Sequence, residues 1–95
     1  ATDVVARYGG EEFMILFPDT ALAAAQQCVE RVLEQTRTLK ERDGSLPVTI
    51  TVSAGLALAS EVQDETLSQQ ALTAIADTRL FRAKELGRNR MIWSD

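Results

Sequence analysis

Two adjacent glycines and two adjacent carboxylates lie near the start of the chain, in the heptapeptide Arg7-Tyr8-Gly9-Gly10-Glu11-Glu12-Phe13. Strand-like apolar segments flank it, at Val4 to Tyr8 and at Phe13 to Phe17. Because glycine accepts positive φ, the Gly9-Gly10 pair predicts a tight turn that joins the two segments into a β-hairpin. Such a turn carries no side chains, so its backbone can approach a flat or charged ligand closely.

The two carboxylates of this hairpin are expected to point to opposite faces, because Glu11 and Glu12 are consecutive residues of one strand. One of the two carboxylates can therefore face a bound ligand. Carboxylate oxygens together with substrate phosphates are the usual ligands of Mg²⁺, so the pattern favours a metal and phosphate site. The alternative is an ordinary Gly-Gly hairpin whose acidic residues are only solvated.

A second group of residues able to bind phosphate lies near the end of the chain. Lys84 and Arg88 are four residues apart and would share a face if the helix kept its pitch past Gly87. Two cations there could balance the charge of a triphosphate. The alternative is that they only meet the negative end of the helix dipole.

Composition limits the kinds of protein that this chain can be. Its 95 residues suggest one domain, and its net charge of −4 without any histidine disfavours nucleic-acid binding driven by phosphate neutralisation. Acid-base or metal chemistry must then rest on carboxylates. The single cysteine, Cys28, is expected to be a reduced, buried thiol. No membrane span or secretion signal is visible, so we expect a cytoplasmic domain whose parent protein can still be membrane-anchored.

The hairpin is followed by elements that predict an α+β or split βαβ fold. Pro18 ends the strand, and Asp19 or Thr20 is expected to cap a helix. The apolar face of that helix is expected to comprise Leu22, Ala25, Val29, Val32, Leu33 and Leu39. The alternating residues Val48 to Leu58 predict a strand, with Val48, Ile50, Val52, Ala54 and Leu56 facing one way.

A second helix and a short last strand complete the predicted order. Thr66 and Gln69 match a capping box at the start of this helix. Gly87 stands where a left-handed C-cap belongs, and Met91 to Trp93 can form the strand. The buried face of the helix is expected to comprise Leu72, Ile75, Ala76, Leu80 and Ala83.

Three separated blocks resemble the GGDEF family of diguanylate cyclases, in the variant whose signature reads Gly-Gly-Glu-Glu-Phe. They are Arg7 to Phe13, Thr51-Val52-Ser53-Ala54-Gly55, and Ala76-Asp77 with Ala83-Lys84 and Gly87-Arg88-Asn89-Arg90. The resemblance implies a palm-like nucleotidyl-cyclase (ferredoxin-like) fold with a mixed sheet and helices. It also implies that two GTP molecules are condensed into cyclic di-GMP with release of pyrophosphate, with Mg²⁺ or Mn²⁺ as cofactor.

The resemblance also assigns roles to individual residues. Glu11 is the metal-coordinating and catalytic carboxylate, and Glu12 is the adjacent catalytic carboxylate, which supports the metal and the transition state. Gly9 and Gly10 lie against GTP, while Lys84 and Arg88 contact its phosphates. Asp3 matches the last residue of an inhibitory RxxD motif that binds product, and Arg31 matches a secondary product-contacting arginine. The alternative for Arg31 is a solvated helix arginine.

Residues 1–95 are expected to be a partial GGDEF domain, from the signature hairpin to the last strand, without the family's first strand and first two helices. Without that strand, apolar edges would attract partners. We therefore expect a homodimer, formed through facing active sites or by strand exchange. The alternative function is a catalytically silent module that binds cyclic di-GMP or GTP, or docks a partner protein. A plain α+β interaction domain is a third possibility.

Overall fold

The computed structural model describes residues 4–9, 12–38, 50–62 and 68–95, with the backbone alone given for residues 4, 7–9 and 68. Within these ranges the architecture is α+β, as predicted. The elements in chain order are β1 (Val4–Gly9), β2 (Glu12–Leu16), α1 (Leu22–Arg37), β3 (Ala54–Gly55), a 3₁₀ turn (Ala59–Glu61), α2 (Ser68–Glu85) and β4 (Met91–Ile92). The described strands form two separate sheets, β1 with β2 and β3 with β4.

The predicted hairpin is confirmed, with a change in its register. β1 and β2 are antiparallel, and Ala6 opposes Met14, Arg7 opposes Phe13 and Gly9 opposes Glu12. The shift between Arg7 and Gly9 leaves Tyr8 as an extra residue, which is the pattern of a β-bulge. Gly9 therefore belongs to a strand rather than to the expected Gly9-Gly10 turn. The positions between the paired residues are 10 and 11, which lie outside the described residues.

Helix α1 buries one narrow face. Ala25, Val29 and Leu33, spaced four residues apart, are buried, and Leu33 is fully inaccessible. This confirms the central part of the predicted stripe, because residues four apart lie on one side of a helix. Val32 is 40% exposed and does not belong to that face. Leu39 lies outside the described residues.

The expected N-caps of α1 are wrong. The capping residue is Ala21, which offers no side-chain hydrogen bond to the first turn. The Thr20 hydroxyl instead donates to the carbonyl of Pro18 at 2.9 Å. Asp19 has a φ of 50° in the preceding turn. Asp19 and Thr20 thus belong to the turn after β2 rather than to the helix.

The long strand predicted from Val48 to Leu58 is also wrong over residues 50–53 and 56–58, because only Ala54 and Gly55 have strand structure in the described part of this segment. Ile50 and Val52, expected on a buried face, are 46% and 36% exposed. A strand extends only where a neighbouring strand supplies hydrogen-bond partners, and its described parallel partner β4 is two residues long. Val48 and Thr49 lie outside the described residues.

Helix α2 packs directly against β3, and Gly55 makes this approach possible. A Cβ atom added to Gly55 would overlap the backbone of Ala76 and Leu80. Further along α2, Ala83 is fully buried, as predicted. The other predicted core residues of this helix are half-buried: Leu72, Ile75, Ala76 and Leu80. Thr66 of the expected capping box lies outside the described residues.

Two expectations from composition concerned the single cysteine and membrane-spanning segments. Cys28 is a free thiol but only half-buried. No helix in the described part of the chain combines the length and the apolar composition that crossing a bilayer requires.

Candidate functional site

The end of the hairpin brings two predicted site residues together. Gly9 of β1 opposes Glu12 of β2, and the Glu12 side chain is half-buried. The bulge at Tyr8 lies beside this pair and changes the direction of the strand just before the glycines. Gly10 and Glu11 lie outside the described residues, so their roles stay predictions.

The C-terminal end of α2 carries the two predicted phosphate-binding cations. The N–H of Gly87 donates to the carbonyl of Lys84 at 3.3 Å, and the N–H of Arg88 donates to the carbonyl of Ala83 at 2.9 Å. With Gly87 at a φ of 121°, these two bonds form a Schellman motif. The predicted left-handed C-cap at Gly87 is therefore confirmed.

Lys84 and Arg88 are neighbours because of this motif and not because of helical pitch. Helical pitch is not kept past Gly87, because α2 ends at Glu85 and Arg88 has a φ of 65°. The condition under which the two would share a helix face is thus not met. Arg88 is instead held beside the last turn by its own N–H bond to Ala83.

Both cations are available to an anion as far as the structure describes their surroundings. Lys84 is half-buried and Arg88 is exposed. Within residues 4–9, 12–38, 50–62 and 68–95, neither side chain forms a hydrogen bond or an ion pair. Cations near the C-terminal end of a helix interact favourably with the helix dipole.

The segment that follows Arg88 is tied to two other parts of the fold. The N–H of Asn89 donates to the hydroxyl of Ser53 at 3.1 Å. Arg37, in the last turn of α1, donates from Nε to Asn89 Oδ1 at 2.7 Å and from Nη2 to the Asn89 carbonyl at 3.3 Å. These contacts were not predictable from the sequence, since Arg37 and Asn89 are far apart in the chain.

The two residues assigned to an inhibitory site are not brought together by the described structure. Arg31 is exposed on α1. Asp3 lies outside the described residues. The product-binding role of both residues stays a prediction.

The structure also contains a buried arginine that was not predicted from the sequence. Arg79 of α2 is only 3% exposed. Its Nη1 donates to Glu61 at 2.8 Å and to the Leu56 carbonyl at 2.8 Å, and its Nη2 donates to Glu61 at 2.5 Å. Asp95 accepts from Nε at 3.3 Å. The signal was present in the sequence, because Arg79 stands midway between Ile75 and Ala83 at a spacing of four.

These contacts fix the charge states of the pair. The hydrogen bonds from Arg79 and then from the N–H of Leu58, at 2.8 Å, lower the pKa of Glu61 from 4.5 to about 2. The hydrogen bonds to Glu61 raise the pKa of Arg79 above its ordinary value. The cluster thus joins α2 to the 3₁₀ turn and to the chain end through groups that are ionised at neutral pH, and its role is structural.

A metal centre is not assembled by the described residues alone. Among them, no group of three or more His, Cys, Asp or Glu side chains could hold a metal ion. No hydrogen bond or ion pair within these ranges links the hairpin to the end of α2. A shared metal and phosphate site formed by the two regions stays a prediction.

Comparison with known proteins adds independent information. A family model described as diguanylate cyclase, GGDEF domain, matches residues 1–90. Diguanylate cyclase DgcP of Pseudomonas aeruginosa is 38% identical over 89 residues, covering 94% of this chain and 13% of that protein. Probable diguanylate cyclase DgcT of Escherichia coli is 33% identical over 95 residues, covering 98% of this chain and 20% of that protein. The chain thus spans a small part of these relatives.

Solved structures show the same similarity in three dimensions. Diguanylate cyclase SiaD from Pseudomonas aeruginosa, in complex with its activator SiaC, matches with a TM-score of 0.81 and 36% identity, over 99% of this chain and 35% of that one. The GGDEF domain of DgcB from Caulobacter crescentus, in complex with c-di-GMP, matches with a TM-score of 0.80 and 32% identity, over 96% of this chain and 53% of that one.

Proposed function

Since this chain belongs to the GGDEF family of diguanylate cyclases, we propose that its natural protein condenses two GTP molecules into cyclic di-GMP and releases pyrophosphate. The observation that carries the proposal is the match of the family model to residues 1–90, a range that includes both the hairpin and the end of α2. The alternative is a silent GGDEF module that binds GTP or cyclic di-GMP, or docks a partner protein.

We propose that the hairpin holds the sugar and α-phosphate end of GTP. Gly9 and Gly10 carry no side chains, so the backbone can lie against the nucleotide. Glu11 would coordinate Mg²⁺ or Mn²⁺, and Glu12, half-buried beside Gly9, would support it. Carboxylate oxygens fit such hard cations. When bound, the cation would supply positive charge against the phosphoryl oxygens.

At the end of α2, Lys84 and Arg88 are proposed to bind the β- and γ-phosphates. Both project from a helix terminus that is closed by the Schellman motif, and neither has a side-chain partner within the described ranges. Fixed cations stabilise the negative charge that develops on a leaving pyrophosphate. The two residues would therefore assist both binding and departure of the leaving group.

The reaction requires two nucleotides, so we propose that two copies of the domain face each other. Each would orient one GTP so that its 3′-hydroxyl attacks the α-phosphate of the other. A new phosphorus–oxygen bond forms at each α-phosphate, the bond to pyrophosphate breaks, and the proton of the attacking hydroxyl passes to water. Positioning of the two substrates supplies much of the acceleration in such a reaction.

Regulation and the finer fold are proposed on the same basis. Asp3 and Arg31 would contribute to a product-binding inhibitory site.

The two described sheets would be parts of one palm-like, ferredoxin-related mixed sheet. Residues 1–95 would form the portion of the domain after the family's first strand and first two helices. The domain would act in the cytoplasm, without binding nucleic acid and without membrane contact by this segment.

The assay for this function is formation of cyclic di-GMP from GTP and Mg²⁺ by the full natural protein. We expect the wild type to form product and Glu11→Gln to form none, with its circular dichroism unchanged. Lys84→Ala should raise the half-saturating GTP concentration about tenfold, the equivalent of about 1.4 kcal/mol. Glu34→Gln, an exposed carboxylate on α1, is the matched control and should behave as wild type.

Two results would contradict the proposal. A wild-type protein that binds GTP or cyclic di-GMP without turnover would support the silent module instead. Full turnover by Glu11→Gln would remove the proposed metal ligand.

A further inference from the structure

The contact between Arg37 and Asn89 joins two elements that are distant in the chain. Arg37 lies in the last turn of α1, and Asn89 lies just after the Schellman motif of α2. Two donors of one guanidinium bond two acceptors of one residue, at 2.7 Å to the side-chain oxygen and 3.3 Å to the carbonyl. A planar guanidinium that bonds twice fixes direction as well as distance.

Asn89 is held from a second side by Ser53. The Ser53 hydroxyl accepts the Asn89 N–H at 3.1 Å, one residue before β3 begins. The next residue, Arg90, accepts the N–H of Ala54 with its carbonyl at 2.9 Å. The loop of residues 86–90 is thus anchored to α1 and to the β3 edge.

This anchoring acts on a segment with an unfavourable backbone conformation. Arg88 and Asn89 have φ values of 65° and 55°, in the left-handed region. For a residue other than glycine, this backbone conformation raises the free energy by about 1 kcal/mol or more. Asparagine tolerates it better than most residues, whereas arginine has no such advantage. The conformation at Arg88 therefore depends on contacts made by its neighbours.

We infer that Arg37 is a positioning residue, which acts through Asn89 to hold Arg88 in its phosphate-binding orientation. The inference rests on the proposed function of Arg88. If the Arg37 contacts were lost, Arg88 could relax toward ordinary backbone angles, and its side chain would leave the end of α2. Binding phosphate would then require reordering of the loop, which weakens affinity.

If Arg37 acted only through its positive charge, removing another exposed arginine should weaken phosphate binding equally. Arg37 also lies 3.5 Å from Glu30, but both side chains are substantially exposed, and such pairs contribute little. Arg82 of α2 is an exposed arginine two residues from Lys84, and its side chain forms no hydrogen bond or ion pair within the described ranges. Arg82→Gln removes the same charge as Arg37→Gln without touching Asn89, so it is the matched control.

The experiment is a double-mutant cycle in the full natural protein. The variants are Arg37→Gln, Arg88→Ala, their combination, and Arg82→Gln. The probe is a GTP analogue with a non-cleavable α,β bridge, and its affinity is measured by titration calorimetry with Mg²⁺ present. Thermal unfolding of every variant is recorded in parallel.

We expect Arg37→Gln to weaken binding of the analogue about fivefold in the wild-type background and less than twofold in the Arg88→Ala background. The reason is that mutations of interacting residues do not have additive effects. Arg82→Gln should change affinity less than twofold. The decrease in unfolding temperature caused by Arg37→Gln should be the same in both backgrounds, since the contacts with Asn89 are lost in each.

Equal losses of affinity in the two backgrounds would overturn the inference, as would no loss at all or a loss matched by Arg82→Gln. Failure of the proposed function is seen separately, in the wild type. A wild type that binds the analogue but forms no cyclic di-GMP refutes turnover, while the cycle still decides the role of Arg37. A wild type that does not bind the analogue overturns both.

Discussion

Arg79 shows how a charged side chain can belong to a core. Removing a guanidinium from water is costly unless its donors are all satisfied. Here Glu61, Asp95 and the Leu56 carbonyl accept from it, and no buried polar side-chain atom in the described part of the chain lacks a partner. The position could be found from the helical spacing of Ile75, Arg79 and Ala83. Its partners could not, because they depend on the tertiary fold.

The Glu61–Arg79 pair predicts a specific pH dependence. The folded pKa of Glu61, about 2, lies below its ordinary 4.5. Its stabilisation is therefore complete above about pH 5 and is lost as the pH falls toward 2. Because Glu61 is exposed and solvent screens its charge, we expect Glu61→Gln to lower the free energy of unfolding by only about 1 kcal/mol at pH 7, less than the pKa shift alone implies. The difference from wild type should shrink steadily between pH 5 and pH 2.

Urea denaturation of both proteins across this pH range is the measurement. Glu34→Gln, which removes an exposed carboxylate from α1, is the control and should change stability by less than about 0.5 kcal/mol across the range. A Glu61→Gln difference that is constant from pH 7 to pH 2 would contradict the ion-pair assignment.

Two glycines position α2 for different physical reasons. Gly87 adopts a φ of 121°, which an L side chain rarely accepts, and an added Cβ there would meet only the flexible end of Arg90 at 2.8 Å. Gly55 instead permits contact between β3 and the backbone of α2, where an added Cβ would meet atoms that cannot move aside. Glycine is thus needed at position 87 for its backbone conformation and at position 55 for the close packing of α2.

This distinction predicts an order of stabilities. Gly87→Ala should cost about 1 kcal/mol, the usual penalty for losing glycine at a left-handed position. Gly55→Ala should cost about 3 kcal/mol, because it overpacks the contact between helix and sheet. Equilibrium denaturation of the two variants gives both values. A Gly55→Ala variant as stable as Gly87→Ala would show that α2 does not lie as close to β3 as described.

The helices were more predictable than the strands, for a physical reason. A helix satisfies its backbone hydrogen bonds internally, so the spacing of Ala25, Val29 and Leu33 was enough to place α1. A strand needs a partner from elsewhere in the chain. The alternation of Ile50 and Val52 therefore predicted a strand that the structure confirms only at Ala54–Gly55. The hairpin was predictable because its partner is adjacent in sequence, although its bulge was not.

At the scale of the molecule, one face of the hairpin carries exposed apolar side chains in the part of the chain that the structure describes. Val5 opposes Ile15 in the register, so the two side chains share a face, and Phe13 lies two residues from Ile15 on the same face. These residues are 66%, 38% and 68% exposed, in that order. Single exposed apolar residues are ordinary, but a contiguous group on a sheet face is typical of an interaction surface.

This face predicts that the 95-residue chain by itself associates with other copies. We expect sedimentation velocity to show a concentration-dependent increase in mass, and Ile15→Lys to shift the population toward monomer, because a charge on the face must be desolvated on association. Val32→Lys is the matched control, since Val32 is an apolar residue of similar exposure, 40% against 38%, on α1. A chain that remains monomeric and unfolds cooperatively at all concentrations would contradict association through this face. Equal dissociation by both variants would assign the effect to net charge rather than to the hairpin.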